Sequence, residues 1–388
     1  MLRDVHRFHG MQAGADAFDF DQIGIHLASA GEYSIQVGHP TAFRAPGFPF
    51  VLAGIYAIAP GAYPLVYLAL CLIGAATSIG VYALAREVLP ETTARVAALL
   101  LAIYLPHVYF STLIVSEALF GLLMVFAFFF FVRSIRNSSN LTLLAAGILL
   151  GLCILTRPFG LLLCPLLAAI LFWFSGRNWA AAGKCLFLAV TVIVAITPWT
   201  LRNFALFHRP VLITTNGGST LYGSNNDIVL NDPKYWGTWI STVQLPGRDI
   251  IEAAPDEVSH DAIEQKLGLE WVAGHITSLP KLLSLKLLRL VIPDTTSGNR
   301  TFIILQAAFY LPVAFLTAWG VWKLSRKTEF WNDPAWLAIH SAVAALFLQT
   351  LIYYGSSRFR DTIAPVFLIY AAGVLASPPR SVPTRDPA

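Results

Sequence analysis

The chain has 388 residues, 56% of them hydrophobic and only 12% charged, against about 25% charged in soluble domains. Apolar runs of eighteen or more residues recur, each long enough to cross about 30 Å of hydrocarbon as a helix. A soluble domain is excluded, and the net charge of +4 belongs to loops without clustered exposed aromatics, which argues against nucleic acid as a partner.

The first ten residues are polar and basic with no apolar run behind them, so no signal peptide is expected. Residues 1–45 read as one acidic loop, with Asp16, Asp19 and Asp21 within six residues and Arg44 just before the apolar part begins. Residues 46–201 are predicted to hold the N-terminal membrane helices. Gly47–Ala59 is short and bounded by Pro46, Pro49 and Pro60, so whether 47–85 crosses once or twice stays open. Ala62–Ala85 is a clear span. Arg95–Pro106 with Thr112–Val132 makes one helical hairpin, and Leu141–Leu155 with Phe159–Phe174 a second, with Arg157-Pro158 at its tip. Cys185–Trp199 is one more crossing. Cys71, Cys153, Cys164 and Cys185 lie in or beside apolar runs without paired spacing, so they read as packing residues rather than disulfides or zinc ligands.

Residues 202–293 form the long polar segment. A helix is predicted over Asp256–Val272, opened by Pro255 and an acidic first turn. Pro280–Val291, with Lys281, Lys286 and Arg289, reads as an interfacial helix. C-terminal membrane helices follow within 301–377, then a polar tail, 378–388, of disordered composition. Lys and Arg mark cytoplasmic loops. If Arg133/Arg136, Arg177/Lys184 and Lys323/Arg326/Lys327 share that side, the acidic segment, the polar segment and the turn GSSRFRD (355–361) face away from the cytoplasm.

On this topology Asp16, Asp19, Asp21, Arg44, His107, Glu117, Arg157, Arg202, Arg358 and Arg360 approach one membrane face. Ionisable groups at the edges of spans are costly and need a pairing or functional reason. A carboxylate there serves as general base, and guanidiniums clamp a phosphate. Plainer roles stand beside these. Asp19 and Asp21 also suit a helix-capping turn, and Arg44 and Arg202 suit snorkelling to headgroups. Glu117 also suits a packing ion pair, His107 an interface residue, and Arg157 a bare hairpin tip.

Five blocks carry a resemblance: DAFDFDQIGIHLASAGEYS with PTAFRAPGFPFVLA, IYLPHVYFSTLIVSEALF, GLCILTRPFGLLL, TPWTLRNFALF with a following TNGG, and SRFRDTIAPVFLIYAA. In that order they resemble the GT-C glycosyltransferases, specifically the bacterial relatives of the dolichyl-phosphate-mannose protein mannosyltransferases, including the lipid A aminoarabinose transferases. The resemblance implies an all-α GT-C-type helical bundle with extracytoplasmic loops, in the inner or plasma membrane. It implies an inverting transferase that moves a sugar from a polyprenyl-phosphate donor to a glycan, lipid or protein acceptor.

By the same resemblance Asp16 is the base, with Asp19 as the alternative. It also implies that Arg44, Arg358 and Arg360 meet the donor phosphate; Asp21, His107, Glu117, Arg157 and Arg202, gathered at the same face by the topology, are expected to support them. Distant members of the class use a divalent metal. Three aspartates are enough carboxylates for one, and nothing else in the sequence requires it. The family places a membrane helix ahead of the acidic loop and some relatives add a C-terminal soluble domain; neither is expected here. Two other functions fit the composition: a transporter or flippase of a lipid-linked saccharide, and an inactive truncated homologue.

Overall fold

A computed structural model describes residues 13–293 and 300–375; the tail 378–388 and the first twelve residues lie outside them. Among the described residues, five helices are long and apolar enough to cross a membrane: Tyr63–Ala85, Glu117–Arg136, Trp179–Phe207, Ile303–Leu324 and Pro334–Ile352. Gly47–Ile58, Asn140–Thr156, Pro158–Phe174 and Ala364–Leu375 are shorter apolar helices. The protein is an integral membrane protein.

Glu117–Arg136 is the axis of the bundle. It repeats Phe120, Met124, Phe128 and Phe131 down one stripe, all fully buried, the spacing by which a helix presents one face to its neighbours. Of its apolar window 61% is enclosed, against 17% for Ile303–Leu324, which shows Phe315, Trp319 and Trp322 outward. In water that much exposed apolar surface would drive association; in a bilayer it faces lipid.

Lipid gives helices no hydrophobic drive toward one another, so close packing must hold them. Asn140–Thr156 meets Trp179–Phe207 through Gly147 and Gly151. A Cβ at Gly151 would stand 2.5 Å from the Ala195 Cβ, and one at Gly147 2.7 Å from the Thr191 Cγ2. Gly151→Val is therefore expected to cost about 1–3 kcal/mol by overpacking, read as a lower unfolding midpoint in detergent micelles. Gly183→Ala, on the facing helix Trp179–Phe207 with open space around it, should leave the midpoint unchanged.

Two segments differ from the reading of the sequence. The acidic stretch is not a loop: Ala13–Ala30 is an α-helix, followed by a small antiparallel hairpin, Ser34–Gln36 with His39–Pro40. Phe20 and Ile23 are buried and Leu27 packs beside them, so an apolar stripe at helical spacing docks the segment on the bundle. The central segment carries the helix Glu257–Gly274, whose N-terminus is capped by Asp256 accepting from the Ser259 N–H at 2.9 Å. Leu279–Val291 is a helix too, but it does not lie at an interface with all its cations in water, because Lys286 is fully buried.

Candidate active site

Along a helix, residues three apart share a face and residues two apart point to nearly opposite sides. Asp16 and Asp19 therefore project together from Ala13–Ala30, and Asp21 projects away. Asp21 accepts from the Tyr63 hydroxyl at 2.8 Å and from Tyr56, which ties the helix to Gly47–Ile58 and Tyr63–Ala85 as a buried strut. The same rule splits the basic turn on the short helix Ser357–Thr362. Arg358 reaches the carboxylates, whereas Arg360 turns into the protein.

Asp16, Asp19, Arg44, Glu117, Arg157 and Arg358 meet in one alternating ladder. Arg44 Nη2 lies 2.6 Å from Asp16 Oδ1 and 2.7 Å from Asp19 Oδ2, and its Nε donates to the same Asp19 oxygen at 2.9 Å. Arg358 Nη1 holds Asp16 Oδ2 at 2.5 Å, and its Nε donates to Glu117. Arg157 Nη1 closes the row on Glu117 Oε1 at 2.8 Å and on the Ser116 hydroxyl at 3.2 Å. Three carboxylates face three guanidiniums, so the ladder is locally neutral.

The side chains differ in how far they can yield. Glu117 has no exposed side-chain surface, and its Oε2 is buried without a hydrogen-bond partner. Asp16 keeps 21% exposed. Burial pushes the Asp16 carboxyl up, but Arg358 and Arg44 outweigh it and hold the group below the usual carboxylate range. For Asp19 burial prevails over the pull of Arg44, and its carboxyl is raised. The two aspartates thus titrate in opposite directions.

Residues that the sequence did not single out complete the site. Tyr33 donates its hydroxyl to the Arg44 carbonyl at 2.8 Å, and Phe43 lies 4.9 Å from the guanidinium. Glu257, on the central helix, accepts from the Thr41 hydroxyl at 2.6 Å and from the Ala42 N–H at 2.7 Å. That contact spans 215 residues of sequence and fixes the strand leading to Arg44. Tyr354 stands within the field of Arg358, Asp16, Arg157 and Glu117, and burial pushes its hydroxyl up to about 12, so it is a neutral donor at physiological pH.

Four sequence candidates lie outside the ladder. Asp21 is the strut described above. His107 is buried with Nε2 3.2 Å from the Gly74 carbonyl. Arg202 donates to the Thr41 carbonyl at 2.8 Å and stacks over Trp199. Arg360, expected at the phosphate, pairs with Asp361 and donates to the carbonyls of Leu290, Val291 and Ile292 at 3.1–3.3 Å. It satisfies the last carbonyls of a neighbouring helix, so it is spent on structure.

Among the described residues no group of three or more His, Cys, Asp or Glu side chains is placed to hold a metal ion. Both oxygens of Asp16 are occupied by guanidiniums, so the donor set in this arrangement does not fit a divalent cation.

The ladder sits at one end of Glu117–Arg136. At the other end Glu87 accepts from Arg133 at 2.9 Å and from Arg136, and Arg136 also holds Asp333 at 3.0 Å. Arg44 and Glu87 thus mark opposite ends of a 20-residue helix, about 30 Å apart by rise. The stretch 47–85 makes one net passage along the bundle.

Residues 39–201 match the model of a family described as dolichyl-phosphate-mannose-protein mannosyltransferase. Over 93% of its length the chain superposes on the crystal structure of the apo oligosaccharyltransferase of Archaeoglobus fulgidus, with a TM-score of 0.55 and 18% identity. The chain has a GT-C-type fold. The chain spans only 46% of the length of that oligosaccharyltransferase and 44% of the same protein crystallised with Zn and sulfate, where the TM-score is 0.53. ArnT from Cupriavidus metallidurans bound to undecaprenyl phosphate gives a looser superposition, with a TM-score of 0.41 and 14% identity over 90% of this chain and 73% of that one. No curated protein matches this chain.

Proposed function

We propose that the protein is an integral-membrane glycosyltransferase that takes a sugar from a polyprenyl-phosphate donor and passes it, with inversion, to an acceptor on the side of the membrane away from the cytoplasm. The observation that carries this reading is the neutral ladder of three guanidiniums and three carboxylates at one end of a lipid-exposed bundle. The family match at 39–201 supports the reaction class. Arg133 and Arg136 at the far end support the sidedness, since basic loops stay on the cytoplasmic side.

A phosphodiester brings one negative charge into a site that has no spare positive charge. To be bound it must take a guanidinium from a carboxylate. Asp16 is the group to give way, because it is partly exposed while Glu117 is sealed. Arg44 and Arg358 turn toward the phosphate, where charge-assisted contacts stabilise it. Asp16, released, accepts the proton of the acceptor hydroxyl or amine. The acceptor attacks the anomeric carbon, the bond from that carbon to the phosphate oxygen breaks, and the leaving phosphate carries its charge to the waiting guanidiniums. Order follows from this exchange: donor first, acceptor second.

The test is binding of a C55 polyprenyl phosphate to the purified chain in micelles. Arg44→Ala is expected to weaken it by about 1.5–3 kcal/mol, the worth of a charge-assisted contact, while neutral polyprenol binds both forms equally. Equal affinity of both proteins for the phosphate would remove the phosphate role of the ladder.

A further inference from the structure

Lys286 is a lysine with no exposed surface and, among the described residues, no carboxylate partner within ion-pair distance. Burying an unpaired ammonium is costly, and burial pulls its pKa down to about 7. Its Nζ has three acceptors: Asn225 Oδ1 at 2.8 Å and the carbonyls of Leu351 at 3.2 Å and Ile352 at 3.4 Å. Those carbonyls end the membrane helix Pro334–Ile352, where no further turn exists to satisfy them. Asn225, itself buried, donates to the Ile352 carbonyl at 3.3 Å and to the Leu221 carbonyl at 2.8 Å.

The backbone beside Lys286 grips the same turn. A Cβ on Gly355 would fall 1.9 Å from the Lys286 carbonyl oxygen, and the Gly355 N–H donates to the Gly237 carbonyl at 2.9 Å. Gly237 has φ +66 and presses on Leu285 and Lys286 in turn. Five residues further along from Gly355, Arg360 donates to the last carbonyls of the helix that bears Lys286. Leu279–Val291 therefore holds the chain at 351–355, ahead of the basic turn, and again at 360 within it, and Arg358 sits between the two grips.

We infer that Leu279–Val291 is a splint that sets the reach of Arg358 into the ladder, with Lys286 as its positioning residue and Asn225 as the link to the central segment. The inference rests on the reading of Arg358 as a phosphate contact. It explains why an unpaired lysine is kept in a buried place where a leucine would pack without that cost.

Two measurements on the purified full chain test it. The first needs no ligand: hydrogen exchange at amides 353–360 is expected to rise in Lys286→Met and to stay unchanged in Lys281→Met, a lysine on the same helix. Unaltered exchange in Lys286→Met would overturn the splint whatever the protein binds. The second is a double-mutant cycle on the Kd of C55 polyprenyl phosphate. Lys286→Met should weaken binding by about tenfold, and adding it to Arg358→Ala should cause no further loss, because residues acting through one contact are not additive. Full additivity, or wild-type affinity in Lys286→Met, would overturn the positioning role. Asn225→Ala, which removes one of the three acceptors and keeps the carbonyls, is expected to give about a threefold loss with the same lack of additivity; it decides the matter if Lys286→Met does not fold. If wild-type binding ignores Arg358→Ala, the phosphate reading fails, and the exchange data still judge the splint.

Discussion

Asp16→Asn is expected to lower the turnover of sugar transfer by about 10³-fold, within the span of a lost general base, with donor KM lowered, because the phosphate no longer competes with a carboxylate for Arg44 and Arg358. Asparagine keeps the shape and accepts one guanidinium, but it takes no proton. The pH dependence separates Asp16 from Asp19. In the free protein the guanidiniums hold the Asp16 carboxyl below the usual range, whereas burial raises that of Asp19. The acid limb of kcat/KM reports the free enzyme and that of kcat the bound state. With Asp16 as base, kcat/KM keeps its value to below the ordinary carboxylate range, and the kcat limb lies at higher pH once phosphate has drawn the guanidiniums away. With Asp19 as base, the kcat/KM limb lies above that range. The sign for stability is the ordinary one for a depressed acid. The contribution of Asp16 is fully present above its unfolded pKa and is lost as pH falls through the folded value.

Arg358→Met should be the most damaging single change in the ladder. It leaves Glu117, which has no exposed side-chain surface, with Arg157 alone, and it leaves Asp16 with Arg44 alone. Removing one partner of a buried charged pair costs about 3–5 kcal/mol, because the remaining charge stays out of water. The unfolding midpoint in micelles is expected to fall accordingly and donor KM to rise. The double variant Arg358→Met/Glu117→Gln should regain part of the stability, since the uncompensated carboxylate is gone, and none of the donor affinity. A midpoint equal to wild type in Arg358→Met would show that the ladder carries no such energy.

Much of the site was legible because charge at the edge of an apolar run is costly and therefore conspicuous. Arg44, Glu117, Arg157 and Arg358 each stand where polar chain meets an apolar helix or its cap, and Asp16 stands out as one of three aspartates within six residues. Direction was harder to read. Arg358 and Arg360 lie two residues apart, as do Asp19 and Asp21. Helical spacing sends the members of each pair to opposite sides, yet by composition alone they look equivalent. The same spacing was present in Phe20, Ile23 and Leu27, whose stripe makes Ala13–Ala30 a helix; three aspartates and a glycine disguised it as a loop.

Long-range partners were not legible at all. Lys286 on an apolar helix looks like any snorkelling lysine, and nothing local ties it to Asn225, 61 residues earlier. Glu257 likewise reads as the acidic first turn of its own helix, while its hydrogen bonds go to Thr41 and Ala42. Such contacts arise from how separate segments fold onto one another, which periodicity does not encode.

The most direct measurement is the fate of a radiolabelled sugar on a C55 polyprenyl-phosphate donor, given to the protein in proteoliposomes with an extract of envelope lipids and glycans. The account predicts that label leaves the lipid for the extract, that free polyprenyl phosphate is released in equal amount, and that both stop in Asp16→Asn. Label that crosses the bilayer still joined to its lipid, undiminished in Asp16→Asn, would contradict it.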